Sequence, residues 1–143
     1  MLRDQPDLKR EKLERTCREM NLYFPNALVQ GYEEITPTLE LPDPNDRHVL
    51  AVAVYVEAKH IVTSNLDDFP NTILQAYGIV AVSPDEFVFR LIRETPRTIL
   101  LAVKKHRLSL AHPPKSVDEY LATLEKQGLP KTVAFLRKHQ DEI

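Results

Sequence analysis

The pattern of apolar and polar positions divides this chain into short, well-punctuated elements. The clearest stretch runs from Leu41 to Pro70. Asp43-Pro44-Asn45-Asp46 supplies an N-cap residue, a proline for the first helical position and an acid three residues past the cap. Val49, Leu50, Val52, Ala53, Val54 and Val56 follow, giving a helix apolar on most faces, as an element covered by others should be. His60-Ile61-Val62-Thr63 is short and β-branched, which suits a buried strand. A helix joined to a strand by a tight turn runs antiparallel to it. The helix start, with Asp43 and Asp46, is therefore predicted to lie at the exit of the strand, with Asn65, Asp67 and Asp68. Ligand sites in open α/β sheets gather at that carboxyl end.

The remaining pattern is mostly helical. Leu8 to Met20 carries Leu8, Leu13, Cys17 and Met20 at helical spacing, and Phe24-Pro25-Asn26 should end that element. Ala27-Leu28-Val29 reads as a short strand and Gly31-Tyr32 as a turn, while Pro37 and Pro42 leave no room for a long helix across 33–41. Pro70 to Gln75 predicts a short helix closed at Gly78, and Ile79-Val80-Ala81-Val82 a second buried strand. The two strands make one helix-linked parallel pair, so the fold class is α/β. Ser83-Pro84-Asp85-Glu86 offers a cap, a first-turn proline and a capping-box glutamate. Thr95-Pro96 and Ser116-Val117-Asp118-Glu119 cap two further helices, the second ended by Gly128. A last helix starts at Pro130 and carries Val133 and Leu136. The amphipathic tail beyond the rigid Ala111-His112-Pro113-Pro114-Lys115 linker must dock on its own domain or on a partner.

Composition narrows the class. With 143 residues, 43% apolar and 28% charged, the chain can bury a real core and is not of disordered composition. Three glycines are too few for a turn-rich all-β fold. Cys17 is the single cysteine, so neither an internal disulfide nor a multi-cysteine zinc site is possible; it reads as partly buried filler on the first helix. The start is charged and lacks an apolar segment, and no apolar run reaches membrane-spanning length, so the expected compartment is the cytoplasm. No two histidines are spaced as a metal pair, and His48 is expected to be a hydrogen-bonded core or rim residue. The net charge of −2 hides an acidic centre, Glu33 to Asp68, where eight acids face only Arg47 and Lys59. Lys104, Lys105, Arg107, Lys115, Lys131, Arg137 and Lys138 make the C-terminal part basic. That is a pair of ordinary solvated helix faces, or a surface for a phosphate backbone.

Asp46-Arg47-His48-Val49-Leu50-Ala51-Val52-Ala53, Ile61-Val62-Thr63-Ser64-Asn65 and Asp68-Phe69-Pro70 together resemble the PIN domain of VapC-like toxins from bacterial toxin–antitoxin pairs. The resemblance continues through Tyr77-Gly78-Ile79 and Ser83-Pro84-Asp85-Glu86-Phe87, and is greatest to the subfamily with a helical C-terminal extension. It implies a Mg²⁺- or Mn²⁺-dependent endoribonuclease, a hydrolase in which carboxylates hold the ion that activates water for phosphodiester cleavage. Carried onto this chain, Asp46 is the first metal and catalytic candidate, its ionised form favoured at a helix start. Asp43 is a second ligand or simply a cap. Asn65 stands where the family more often has aspartate, and Asp68 would supply the missing charge, with Asp67 its rival; either could instead cap the helix near Pro70.

The family's first strand, ending in an aspartate, and the acid-bearing helices after it have no counterpart ahead of the Leu8 helix. The expected architecture is therefore an incomplete PIN-like fold over 1–94, a parallel-sheet remnant flanked by helices, with a helical extension over 95–143. A vacant sheet position would expose strand edges and apolar faces. The chain is thus expected to form a homo-oligomer or element-swapped dimer, or to pair with a separate N-terminal fragment, rather than to stand as a stable monomer. The resemblance implies RNA as substrate and a cognate antitoxin as protein partner. A chain short of its acids is expected to cut RNA weakly or not at all. The alternative is a non-catalytic module that binds an antitoxin or its own kind.

Overall fold

The computed structural model describes residues 10–143, so the predicted helix start at Leu8 lies outside the described residues. The chain divides into two compact units, one reaching to Ala58 and the other running from Lys59 to Ile143.

In the first unit, α1 spans Arg10–Tyr23, supported by the i,i+4 pairs Arg10–Glu14 and Arg15–Glu19. None of its residues is buried, and Cys17 is exposed, contrary to its expected role as partly buried filler: among the described residues, the face that carries it is left uncovered. The strand expected at Ala27-Leu28-Val29 does not form. Pro25–Ala27 makes a 3₁₀ turn and Leu28 donates back to Pro25, leaving these amides no strand to pair with. The predicted proline-limited segment holds only a 3₁₀ turn at Thr36–Thr38. The α-helix α2 begins at Arg47 rather than Pro44, and ends at Tyr55. Asp43 explains the delay. Its carboxylate accepts from the Asn45 amide two residues on, at 2.8 Å, which tightens Pro44–Asp46 into a 3₁₀ turn. Among the described residues of this unit, Leu39, Leu41, Leu50, Ala51 and Ala53 are the buried apolar ones.

The end of α2 is unusual. Ala58 donates to the Ala53 carbonyl at 2.8 Å and Glu57 to that of Val54 at 3.1 Å, the paired bonds of a Schellman motif. Its left-handed position is held by Glu57, at φ 54°, where glycine would be unstrained. Glu57→Gly is therefore expected to stabilise the chain by about 0.5–1 kcal/mol, net of glycine's greater unfolded-state entropy. A urea midpoint that stays put or falls would show that Glu57 carries no such cost.

In the second unit, β1 (His60–Val62) pairs in parallel with β2 (Val80–Val82), His60 opposite Val80, Ile61 opposite Ala81 and Val62 opposite Val82. Between them lie a 3₁₀ turn at Leu66–Asp68, the short helix α3 (Asn71–Leu74) and a further 3₁₀ turn closed by Gly78 at φ +67°. This is the predicted helix-linked pair. Ile61, Phe69, Leu74, Ile79 and Val82 are buried within it. The helix α4 (Pro84–Glu94) returns over the sheet, with Phe87 against the His60 ring at 5.9 Å and Arg90 within 3.4 Å of its Nε2.

Three more helices complete this unit: α5 (Pro96–Ser109), α6 (Val117–Lys126) and α7 (Pro130–Leu136), followed by a 3₁₀ segment over Arg137–Glu142. Leu100, Tyr120, Leu121, Val133, Leu136 and Ile143 form their common core. The amphipathic tail thus docks within its own unit. Ser116 and Glu119 make the full capping box of α6, and Gly128 at φ +81° closes it, with Leu129 donating to Leu124. Two expected caps differ. Thr95 turns its hydroxyl back to the Leu91 carbonyl of α4 instead of capping α5. Ser83 accepts from the Glu86 amide, but the Glu86 carboxylate is drawn away by Lys131 at 2.5 Å and Arg90 at 3.5 Å, so the box is only half made.

Candidate functional site

The sequence-predicted acids fall in different units, each with its own local geometry. In the first, Asp43 spends one carboxylate oxygen on the Asn45 amide and side chain, at 2.8 and 2.9 Å. Asp46 is the residue just before α2, half-buried, and makes no capping hydrogen bond. Its carboxylate is therefore not consumed by the helix start. His48 is exposed and hydrogen-bonded through Nδ1 to the Asn45 carbonyl at 2.6 Å, which makes it a rim residue.

In the second unit, Thr63 Oγ1 accepts from the Asn65 amide at 3.0 Å, bending the chain as it leaves β1. The bend brings Asn65 and Asp68 together: the Asn65 amide group donates to an Asp68 carboxylate oxygen. Asp67 is exposed and Asp68 half-buried on the same 3₁₀ turn. Neither caps α3, whose N-cap is Pro70. The fit to a divalent cation is poor within each unit. Among the described residues, neither unit by itself brings three or more histidine, cysteine, aspartate or glutamate side chains close enough to hold a metal ion. Mg²⁺ needs several hard oxygen ligands in near-octahedral array, and an Asn–Asp pair bonded to each other is short of that.

A site that pattern reading missed lies on Asp85. It is 6% exposed, and its two carboxylate oxygens accept from the Lys131 and Thr132 amides, each at 2.9 Å. These are the second and third residues of α7, whose own N-cap position is held by Leu129, a side chain with no acceptor. Asp85 is thus a cap delivered from α4. Burial alone pushes its carboxyl up; the Thr132 and Lys131 amides and the Lys131 charge outweigh it, so the group lies below its usual range. Glu86 next to it pairs with the Lys131 ammonium, an exposed bridge that lowers Glu86 and raises Lys131. The available signal was the missing cap at Leu129-Pro130, which asks for a foreign acceptor.

Structure also sorts the basic residues of the C-terminal part. Arg107 donates to the Lys115 and Ile143 carbonyls at 3.0 and 3.3 Å, and Lys115 to Thr123 at 2.6 Å. Arg137 pairs with Glu125 at 3.1 Å. These cations fasten helices. Lys104, Lys105 and Lys138 are exposed and have no ion-pair partner among the described residues. No helix among the described residues is long and apolar enough to cross a membrane.

Comparison with known proteins places these features. Residues 84–138, from the start of α4 to beyond α7, match the VapC50 C-terminal domain family. Over 115 residues the chain is 35% identical to the protein named "Putative ribonuclease VapC50" of Mycobacterium tuberculosis, a match that takes in 78% of this chain and 65% of that protein. The chain therefore spans just under two thirds of the length of that relative. No solved structure matches it.

Proposed function

We propose that this chain is a ribonuclease toxin of the VapC-like PIN group, a reading supported by the match of residues 84–138 to the VapC50 C-terminal domain family and by the similarity to the mycobacterial protein. The proposed substrate is RNA, the reaction metal-dependent phosphodiester hydrolysis, the protein partner an antitoxin, and the place of action the cytoplasm. The observation that carries this is the 35% identity, sustained over 115 residues, to the protein named "Putative ribonuclease VapC50". The residues we assign to the chemistry are Asp46, with Asp43, Asn65 and Asp68. Asp46 leads because its carboxylate is left over after the helix start is satisfied. The magnesium or manganese requirement is part of the proposal, and no step is routed through the ion, since neither unit alone supplies a sufficient ligand set among the described residues.

The same deficit sets the expected level of activity. The isolated chain should cleave RNA slowly at best, and Asp46→Ala should bring whatever divalent-dependent cleavage remains down to the level seen in EDTA. Gel assays of a labelled RNA with Mg²⁺, Mn²⁺ or EDTA measure this directly. Cleavage that persists in both EDTA and Asp46→Ala would remove the assignment.

A second reading has its own support. Met20, Leu22, Tyr23, Phe24 and Leu28, a nearly continuous apolar stretch, are 56–74% exposed. In the sheet, Val62 and Val80 are 45% and 41% exposed, although parallel strands are usually covered. Such surfaces suit a non-catalytic module that binds an antitoxin or a second copy of itself. Light scattering on the purified chain separates an assembly from a monomer.

A further inference from the structure

The helices α4 and α7 pack on each other inside the second unit, and the face they share is not fully closed. A cavity of about 310 Å³ opens there, lined by Phe89 of α4 and by Lys131, Ala134, Phe135 and Lys138. The last four are spaced i, i+3, i+4, i+7, one stripe along α7 and the turn that follows it. Every lining residue is apolar, aromatic or cationic. Lys131 is compensated by Glu86 at 2.5 Å, whereas Lys138 has no ion-pair partner among the described residues. Phe135 already stacks with the His139 ring, centroids 4.6 Å apart and planes inclined by 35°, so planar groups do lie against it.

We propose that this groove is a single-stranded RNA contact, in which a base stacks on the Phe89 and Phe135 rings while Lys138 meets an adjoining phosphate. Each nucleotide offers the two features the groove asks for, a flat apolar ring and a single negative charge, and stacking on aromatic side chains tolerates any base. An acidic protein segment would satisfy Lys138 but make no comparable use of two ring faces. The contact shares its substrate class with the proposed function, though not its site. It holds the RNA and takes no part in cleaving it.

The test uses the full chain and a short fluorescein-labelled oligouridylate, with binding read by anisotropy in EDTA so that no cleavage intrudes. Phe89→Leu keeps the apolar volume and removes the ring; Lys138→Glu reverses an exposed charge. Both should keep the wild-type circular dichroism spectrum and melting temperature. Phe89→Leu is expected to weaken binding about tenfold. Lys138→Glu should weaken it as well and make the salt dependence of log K shallower by about 0.7. Wild-type affinity in Phe89→Leu, or oligouridylate binding that responds to Lys138 alone, would reduce the groove to unspecific charge attraction and overturn the proposal. So would an acidic peptide that binds in a Phe89-dependent way while oligouridylate does not bind. Because the readout is independent of catalysis, loss of the ribonuclease reading leaves this result standing, and the reverse also holds.

Discussion

Asp85→Ala is expected to destabilise the C-terminal helices by about 3 kcal/mol, the scale of losing two hydrogen bonds to a buried charged acceptor. The substitution removes the acceptor for two amides at once, those of Lys131 and Thr132. Nothing local can replace it, because the residue at the N-cap of α7 is Leu129. Thr132 is itself 2% exposed, so water reaches its amide poorly. Asp85→Asn keeps one carbonyl oxygen and should cost about half as much. Urea denaturation followed by circular dichroism gives both values; a loss below about 1 kcal/mol in Asp85→Ala would show that α7 starts without help from α4.

Acid should reveal the same contact. Folding depresses the Asp85 carboxyl, since bonds from the Thr132 and Lys131 amides, with the Lys131 charge, exceed the upward push of burial. A carboxyl lowered by folding contributes its full stability above its unfolded value, near ~3.9, and loses it as pH falls through the folded one. Stability of the wild-type chain should therefore decline below about pH 4. In Asp85→Asn the decline should be shallower but not absent, because Glu86, drawn down by Lys131 and Arg90, titrates in the same direction. An acid limb identical in the two proteins would mean that the Asp85 carboxyl is not bonded as described.

What could be read in advance follows from how local each interaction is. The helix-linked parallel pair was legible because β-branched runs at Ile61–Thr63 and Ile79–Val82 flank a segment punctuated by Pro70 and Gly78. The box at Ser116 and Glu119 was equally legible, both partners lying within one turn. The half-box at Ser83 was not, since the competitor for Glu86 is Lys131, 45 residues away. Separations of 46 and 47 residues hid Asp85 in the same way. In its own helix it looks like an ordinary first-turn acid, and only α7 gives it a task. Cys17 misled for the opposite reason: helical spacing supplies a face, but does not say whether anything covers it. For the candidate acids, local chemistry was readable as far as Asp43, whose side chain does act as a cap; the hydrogen bond between Asn65 and Asp68 depends on the turn after β1, which the pattern did not specify.

The helical domain should also fail when its centre is hollowed. Leu121→Ala is expected to cost about 3–4 kcal/mol, in the upper part of the range for a buried leucine. Leu121 is fully buried in α6 among Leu100, Val133 and Leu136, which come from α5 and α7. Fixed helices on both sides limit collapse into the space left behind, so the cavity term adds to the transfer term. Leu101→Ala supplies the contrast on the same module. Its side chain is 69% exposed, and alanine is a good helix former, so its effect should stay within about 0.5 kcal/mol. Combined with Asp85→Ala, Leu121→Ala should be less than additive. Both substitutions loosen α7, one at its first turn and one at the face carrying Val133, and a helix already freed has less packing left to lose. Urea midpoints for the two single variants and the double variant decide the matter: strict additivity would separate the Asp85 contact from the core, and make the two ends of α7 independent.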